Sequence, residues 1–179
     1  MENFIVREDG LYLNDEPFKL LSGAIHYFRI PREQWYRSLY NLKALGFNTV
    51  ETYTVWNLHE PKEGVFDFSD RLDLKAFIEL AQSLGLYVIV RPSPYICAEW
   101  EFGGLPAWLL TKENIRLRAN DPVFLQAVER YYQELFQILT PLQITHGGPI
   151  IMMQIENEYG SYSEDKTYLR QIKDLMEKY

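Results

Sequence analysis

Between the breakers Gly147-Gly148-Pro149 and Tyr159-Gly160 the chain reads Ile150-Ile151-Met152-Met153-Gln154-Ile155-Glu156-Asn157-Glu158. A glycine-proline signal releases a short apolar run, and the run delivers acid, amide and acid to its far end. A strand buried on both faces reads as such an uninterrupted run, and in parallel barrels the C-terminal strand ends carry the chemistry. Carboxylates flanking an amide at that end suit a proton donor that also grips a polyhydroxylated substrate. The plain competitor is a strand that happens to end in solvated acids.

Working outward, the same unit recurs: amphipathic helix, Leu-Gly, apolar strand, polar strand end. Leu45-Gly46 precedes Phe47-Asn48-Thr49-Val50-Glu51-Thr52-Tyr53, and Leu84-Gly85 precedes Leu86-Tyr87-Val88-Ile89-Val90-Arg91-Pro92. A glycine just past a helix relieves the strain of a left-handed C-cap, so both pairs mark helix ends. The first helix carries Trp35, Leu39, Leu42 and Leu45 at helical spacing; the second carries Leu74, Phe77, Ile78, Ala81 and Leu84. Asp121-Pro122 places a capping residue before a proline at the first helical position and starts a third, with Leu125, Val128, Tyr132, Leu135 and Leu139 on its apolar face. A last helix is expected from about Ser163, with Tyr168, Leu169, Ile172, Leu175, Met176 and Tyr179 inward.

Strands alternating with helices imply a parallel sheet with right-handed crossovers. The expected parallel strands lie near 19–25, 47–54, 86–92 and 149–156, preceded by a β-hairpin of Ile5-Val6-Arg7 and Leu11-Tyr12-Leu13 around Asp9-Gly10. A (β/α)8 barrel takes about 250 residues, so the fold class expected is α/β, the N-terminal half of such a barrel in about four βα units. The chain ends where a fifth strand would be expected. One partial barrel domain over 1–179, with no second domain, is the expected organisation. The long irregular segment 93–120 follows the third parallel strand, where long loops usually serve a site.

Composition narrows the function classes. Hydrophobic residues at 47% exclude a disordered chain, and a net charge of −7 with pI near 5.0 argues against nucleic acid or an anionic membrane as partner. Aromatics at 15% can stack on the apolar faces of sugars as well as fill a core. Cys97, the single cysteine, excludes an internal disulfide and offers no zinc cluster. No run approaches the roughly 18–20 apolar residues of a membrane span, and the N-terminal residues show no basic-then-apolar signal, so a cytoplasmic location is the default expectation. His26, His59 and His146 lack metal-ligand spacing and read as structural or hydrogen-bonding residues.

If the strand ends converge, their rim holds Glu51, Glu60, Glu99, Glu101, Glu156 and Glu158, together with Trp56, Trp100 and Trp108 as a mixture of core and pocket wall. A carboxylate-rich, aromatic rim fits glycoside hydrolysis, in which one acid protonates the leaving oxygen and another attacks or activates water. From Gly10 to about Tyr162 the chain resembles glycoside hydrolase family 35, the β-galactosidases. The carriers are Ser22-Gly-Ala-Ile-His-Tyr-Phe-Arg-Ile-Pro31, Trp56-Asn-Leu-His-Glu-Pro61, the segment Arg91 to Trp108 and Gln154-Ile-Glu-Asn-Glu-Tyr-Gly160. The resemblance implies that Glu158 is the general acid/base, that Tyr53, Cys97, Ala98, Glu99 and Asn157 bind galactose, and that no metal or organic cofactor takes part. Ser93 departs from the pattern, standing where many relatives have glycine in an Arg-Pro-Gly-Pro turn. Period-two alternation puts Gln154, Glu156 and Glu158 on one face and Asn157 on the other. Since the resemblance needs Asn157 and Glu158 both facing sugar, the strand must turn or bulge there. Glu156 is left between sugar contact and service as a buried partner for a cation.

Retaining hydrolysis also needs a nucleophilic carboxylate roughly 5–5.5 Å from the acid/base. The resemblance implies one on the seventh strand, and no residue of this chain matches its motif. The reading is therefore a β-galactosidase that removes terminal β-linked galactose, with this chain carrying the acid/base half of the site and inactive by itself. A non-catalytic galactose-binding remnant is the alternative, and a half-barrel that completes itself by dimerising is a third. The incomplete barrel is expected to self-associate.

Overall fold

The computed structural model describes residues 3–92 and 94–179. Ser93, and with it the expectation about its turn, lies outside the described residues. The chain opens with β1 (Phe4–Arg7), β2 (Gly10–Leu13) and β3 (Glu16–Pro17), an antiparallel sheet in that order. The hairpin forms in the expected place, with Arg7 opposite Gly10. The third strand is unforeseen. Leu13 pairs with Glu16 across Asn14-Asp15, both left-handed (φ 52° and 64°), the two-residue turn whose twist suits a hairpin.

A second sheet is parallel, in the order β4 (Ser22–Ala24), β5 (Thr49–Tyr53), β6 (Tyr87–Arg91), β7 (Ile150–Met153). β4 is shorter than the sequence suggests, because Asn48 intervenes. Its side chain accepts from Leu21 N (3.0 Å) and donates to Lys19 O (2.8 Å), holding the extended residues before β4 without a ladder. Register places Thr49 beside Tyr87, Glu51 beside Ile89 and Tyr53 beside Arg91 on one face, with Val50 beside Val88 and Thr52 beside Val90 on the other. The second face meets the helices: Val50, Thr52, Val88 and Val90 are fully buried. In the same row a Cβ on Gly23 would stand 2.6 Å from the Leu42 side chain, so any larger residue there would have to displace Leu42.

The helices are α1 (Trp35–Ala44), the short α2 (Trp56–His59), α3 (Leu74–Ser83), α4 (Pro122–Leu139), the one-turn α5 (Tyr159–Tyr162) and α6 (Lys166–Lys178). Asp121 caps α4 through Val123 N and Phe124 N, and α4 buries Phe124, Val128, Tyr131, Tyr132, Leu135 and Leu139. It packs between α3 and α6. Leu45 does not join the face of α1. The helix stops at Ala44, and Leu45, one residue on at the C-cap, is 77% exposed. The last helix starts later than Ser163, since Asp165 supplies the cap by accepting from Thr167 N and Tyr168 N. No helix of the described residues is long and apolar enough to cross a membrane.

β7 departs most from expectation. It ends at Met153, and a bulge at Ile151 shifts its register on β6 between Val88 and Ile89. Its start is fixed by Gly148, where a Cβ would lie 2.0 Å from the Leu142 carbonyl oxygen. Gln154 N still donates to Val90 O (3.1 Å), and beyond it the chain leaves the sheet. Period-two alternation therefore does not reach Glu156.

Candidate active site

Arg91, at the end of β6, gathers the strand ends. Its guanidinium donates to Glu51 Oε1 (2.8 Å), to Gln154 Oε1 and to Asn157 Oδ1 (2.9 Å), and lies 3.9 Å from the centre of the Tyr53 ring. Tyr53 OH donates to the same Asn157 Oδ1 at 3.0 Å. Because a guanidinium can only donate, the Asn157 atom facing it must be the oxygen. With Oδ1 taken twice, the amide offers a ligand only its Nδ2 hydrogens. Tyr53 lies on a face with Glu51 and Glu158 nearby; burial, opposed by Arg91, raises its pKa above the usual phenol value. It stays neutral and can accept as well as donate. His26, after β4, completes the convergence. Its Nδ1 accepts from Tyr53 N (3.5 Å), while burial, then the charge of Arg29, lower its pKa to about 4, leaving a neutral ring with the proton on Nε2.

The acid–amide–acid string is a turn outside the sheet. Glu156 and Glu158 are both left-handed, with φ 59° and 49°. Glu156 is fully buried, Asn157 nearly so, and Glu158 exposed. Arg118 answers the question left open about Glu156: Nε donates to Glu156 Oε1 (3.0 Å) and Nη2 to Oε2 (2.9 Å). Tyr168 OH adds a bond to Oε1 (3.0 Å), and Asn157 N one to Oε2 (2.5 Å). Four donors from the protein occupy this carboxylate, which is a cation's partner and not a sugar contact. Arg118 Nη2 also donates to Asn157 O (2.8 Å), and its guanidinium carbon lies 3.8 Å from the centre of the Tyr95 ring and 4.1 Å from that of Tyr162.

Of the residues expected in the site, Cys97, Asn157 and Glu158 line one pocket with Tyr95, Arg118, Ser161 and Tyr162. Its volume of about 190 Å³ is below the ~300 Å³ at which small-molecule clefts begin. These residues make a wall of a site and do not enclose a ligand. Tyr53 joins them through Asn157. Ala98 and Glu99 are not in that pocket: the Ala98 carbonyl accepts from Arg29, and Glu99 is exposed in the loop. Cys97, Ala98 and Glu99 form three consecutive left-handed residues (φ 55°, 52° and 46°) without a glycine among them. Such conformations cost about 1–2 kcal/mol per residue and persist where surrounding contacts over-determine them. Here the contacts are Trp100 N to Cys97 O (2.9 Å) and Ile96 N to Gly103 O (2.8 Å).

The remaining rim candidates divide. Glu60 is not on the rim; it is fully buried, accepting from Trp56 Nε1 (2.6 Å) and Gly64 N (2.8 Å). Glu101 is exposed in a 3₁₀ turn. Trp56 is core, stacked 5.1 Å from Tyr131, whereas Trp100 and Trp108 are half-buried and donate to Asn57 Oδ1 and Glu60 O. His59 is structural: its Nδ1 donates to Asp67 O (2.7 Å), so Nε2 accepts from Tyr27 OH (2.5 Å), and burial lowers its pKa to about 4. Among the described residues no group of three or more His, Cys, Asp or Glu could hold a metal ion. Arg118 was not legible as a site residue: it sits late in the long loop, where no periodicity ties it to Glu156. Arg91 carried a signal, an arginine ending an apolar strand, but its partners could not be read from spacing.

Comparison with known proteins bears on this geometry. The profile described as "Glycosyl hydrolases family 35" matches residues 10–179. A human protein named beta-galactosidase-1-like protein 2 is 51% identical over 165 residues, covering 92% of this chain and 26% of its own length. A beta-galactosidase from Xanthomonas manihotis is 55% identical over 154 residues, covering 86% of this chain and 26% of its own. The chain thus spans about a quarter of the length of these relatives. Among solved structures, GH5_18 from Streptomyces cattleya in complex with GlcNAc superposes with a TM-score of 0.68 at 20% identity, over 89% of this chain and 42% of that one. At that identity the likeness shows the fold: the four parallel βα units are part of a (β/α)8 barrel.

The left-handed turn yields a prediction free of packing effects, because Glu99 is exposed. Glu99→Gly should raise folding stability by about 1 kcal/mol, because glycine relieves the strain of the positive φ, and Glu99→Val should lower it, because a β-branched residue is more strained there than glutamate. Denaturant titration of the two variants checks this; equal stabilities would mean that Glu99 does not hold a positive φ.

Proposed function

The chain belongs to glycosyl hydrolase family 35, and on that premise we propose that it carries the acid/base half of a retaining β-galactosidase site. Glu158 protonates the glycosidic oxygen as galactose leaves, then deprotonates the water that releases the sugar from a covalent intermediate. Asn157 donates through Nδ2 to a galactose hydroxyl. Tyr53, Cys97, Ala98 and Glu99 complete the sugar's surroundings, the Cys97 contact running through its backbone. The nucleophile comes from outside residues 1–179. The observation that carries this reading is the exposed Glu158 carboxylate beside an Asn157 amide held by Arg91 and Tyr53. An acid next to a pre-oriented hydrogen-bond donor meets the geometric demand of the reaction before any question of proton affinity arises. The substrate class rests on the relatives named beta-galactosidase, of whose length this chain spans about a quarter.

Removing an acid hurts most when the leaving group needs protonation. In the intact protein, Glu158→Ala should lower kcat/KM on a galactosyl disaccharide by about three orders of magnitude or more, and far less on a dinitrophenyl galactoside. Glu156→Ala, which unfastens a buried ion pair, should weaken both, with a smaller leaving-group dependence than Glu158→Ala. Leaving-group dependence that follows Glu156 and spares Glu158 would contradict the assignment.

Residues 1–179 alone should not turn over aryl galactosides, because the nucleophile is proposed to lie outside them, and should self-associate, because β4 and β7 are the edge strands of the parallel sheet among the described residues. Light scattering on the purified polypeptide and an activity assay beside the intact protein check both. Turnover within tenfold of the intact enzyme, or a monodisperse monomer, would contradict the corresponding half; galactose binding without turnover would agree with it.

A further inference from the structure

Arg118 does more than neutralise Glu156. Its side chain is 8% exposed and reaches both a buried carboxylate and a backbone carbonyl of the residue next to Glu158. The carbonyl of Asn157 belongs to the peptide that joins Asn157 to Glu158. Fixing its direction fixes the plane of that peptide, and with the φ of 49° at Glu158 it sets the direction in which the Glu158 side chain leaves the backbone. The other side of Asn157 is fixed as well: its N–H is bound by the Glu156 carboxylate that Arg118 itself holds. Both peptide groups of Asn157 therefore trace to one guanidinium.

The need for such a clamp is visible in the backbone. Glu156, Glu158 and Arg118 itself are all left-handed non-glycine residues, and conformations of that kind relax unless held. A buried ion pair is poor evidence of stabilisation, since its desolvation offsets most of its attraction. Its geometric yield here is specific. The planar fork serves two carboxylate oxygens and a carbonyl at once, an arrangement that a lysine's single ammonium cannot reproduce. Its guanidinium carbon lies 3.8 Å and 4.1 Å from the centres of the Tyr95 and Tyr162 rings, and Arg118, Tyr95, Tyr162 and Glu158 line the same pocket.

We infer that Arg118 is the positioning residue of the proton donor: through Glu156 and the Asn157 carbonyl it sets the placement of the Glu158 carboxylate against the leaving oxygen. This rests on the acid/base reading of Glu158. Misplacement of a catalytic group by about 1 Å can cost on the order of 100-fold in rate, and for an acid that loss must scale with how much protonation the leaving group needs.

The test uses the intact protein, with kcat/KM reporting the bond-breaking step on methyl and dinitrophenyl β-galactosides. Arg118→Ala should lose about 100-fold more on the methyl galactoside than on the dinitrophenyl one, and added guanidinium should restore part of the difference. Arg118→Lys, which keeps the charge, and Tyr168→Phe, which loosens Glu156 from its other side, should show the same selectivity on a smaller scale. They decide the matter if Arg118→Ala does not fold. Equal losses on both substrates throughout this series, or a change confined to thermal stability, would overturn the inference and leave Arg118 as a structural ion pair. Glu158→Ala runs beside them as the reference. If it is selective and the Arg118 series is not, only the positioning role falls; if Glu158→Ala is itself unselective, the acid assignment falls and the inference with it.

Discussion

The Glu156 carboxylate is fully buried and meets four donors: two from Arg118, one from Tyr168 and one from the backbone of Asn157. Breaking a buried pair by removing one member typically costs about 3–5 kcal/mol, because the other is left as an uncompensated charge. The local structure depends on this contact in both directions along the chain. Upstream it lets β7 end at Met153 and turn inward; downstream it presents Asn157 and Glu158 together, which a continuing strand would have sent to opposite faces. The same pair ties the end of the long loop, through Arg118, to α6, through Tyr168.

Two arginines divide the work at the strand ends. Arg91 lies on the sheet face shared by Glu51 and Tyr53 and holds the Asn157 side chain; Arg118 comes from the loop and holds the Asn157 backbone. Asn157 is thus immobilised at both ends, which removes the reorganisation that a flexible amide would need on meeting its ligand. The positive charge of each arginine is answered inside the protein, by Glu51 and by Glu156.

Much of this architecture was legible in the chain. Leu-Gly stops, Asp-Pro at the start of α4 and apolar runs of strand length located β5, β6, β7 and the helices α1, α3 and α4, because each rests on local physics: a left-handed cap, a fixed proline φ, an apolar run too short for a helix. The string Glu156-Asn157-Glu158 was legible as chemistry but not as shape. Positive φ at Glu156, and at Cys97, Ala98 and Glu99, is imposed by contacts distant in sequence, and none of these residue types announces it. Arg118 stands 38 residues from Glu156 with no pattern between them. Glu60 misled for a related reason: a carboxylate in a polar strand-end segment reads as solvated until Trp56 and Gly64 are seen to enclose it.

The account stands or falls on Asn157 presenting its amide nitrogen to the sugar beside Glu158, with its oxygen turned back to Arg91 and Tyr53. A crystal structure of the intact protein with galactose bound tests this directly. The account predicts Asn157 Nδ2 within hydrogen-bonding distance of a galactose hydroxyl, Oδ1 still held by Arg91 and Tyr53, and the Glu158 carboxylate on the side of the anomeric oxygen. Galactose seated away from Asn157, or an amide turned so that Oδ1 meets the sugar, would contradict it.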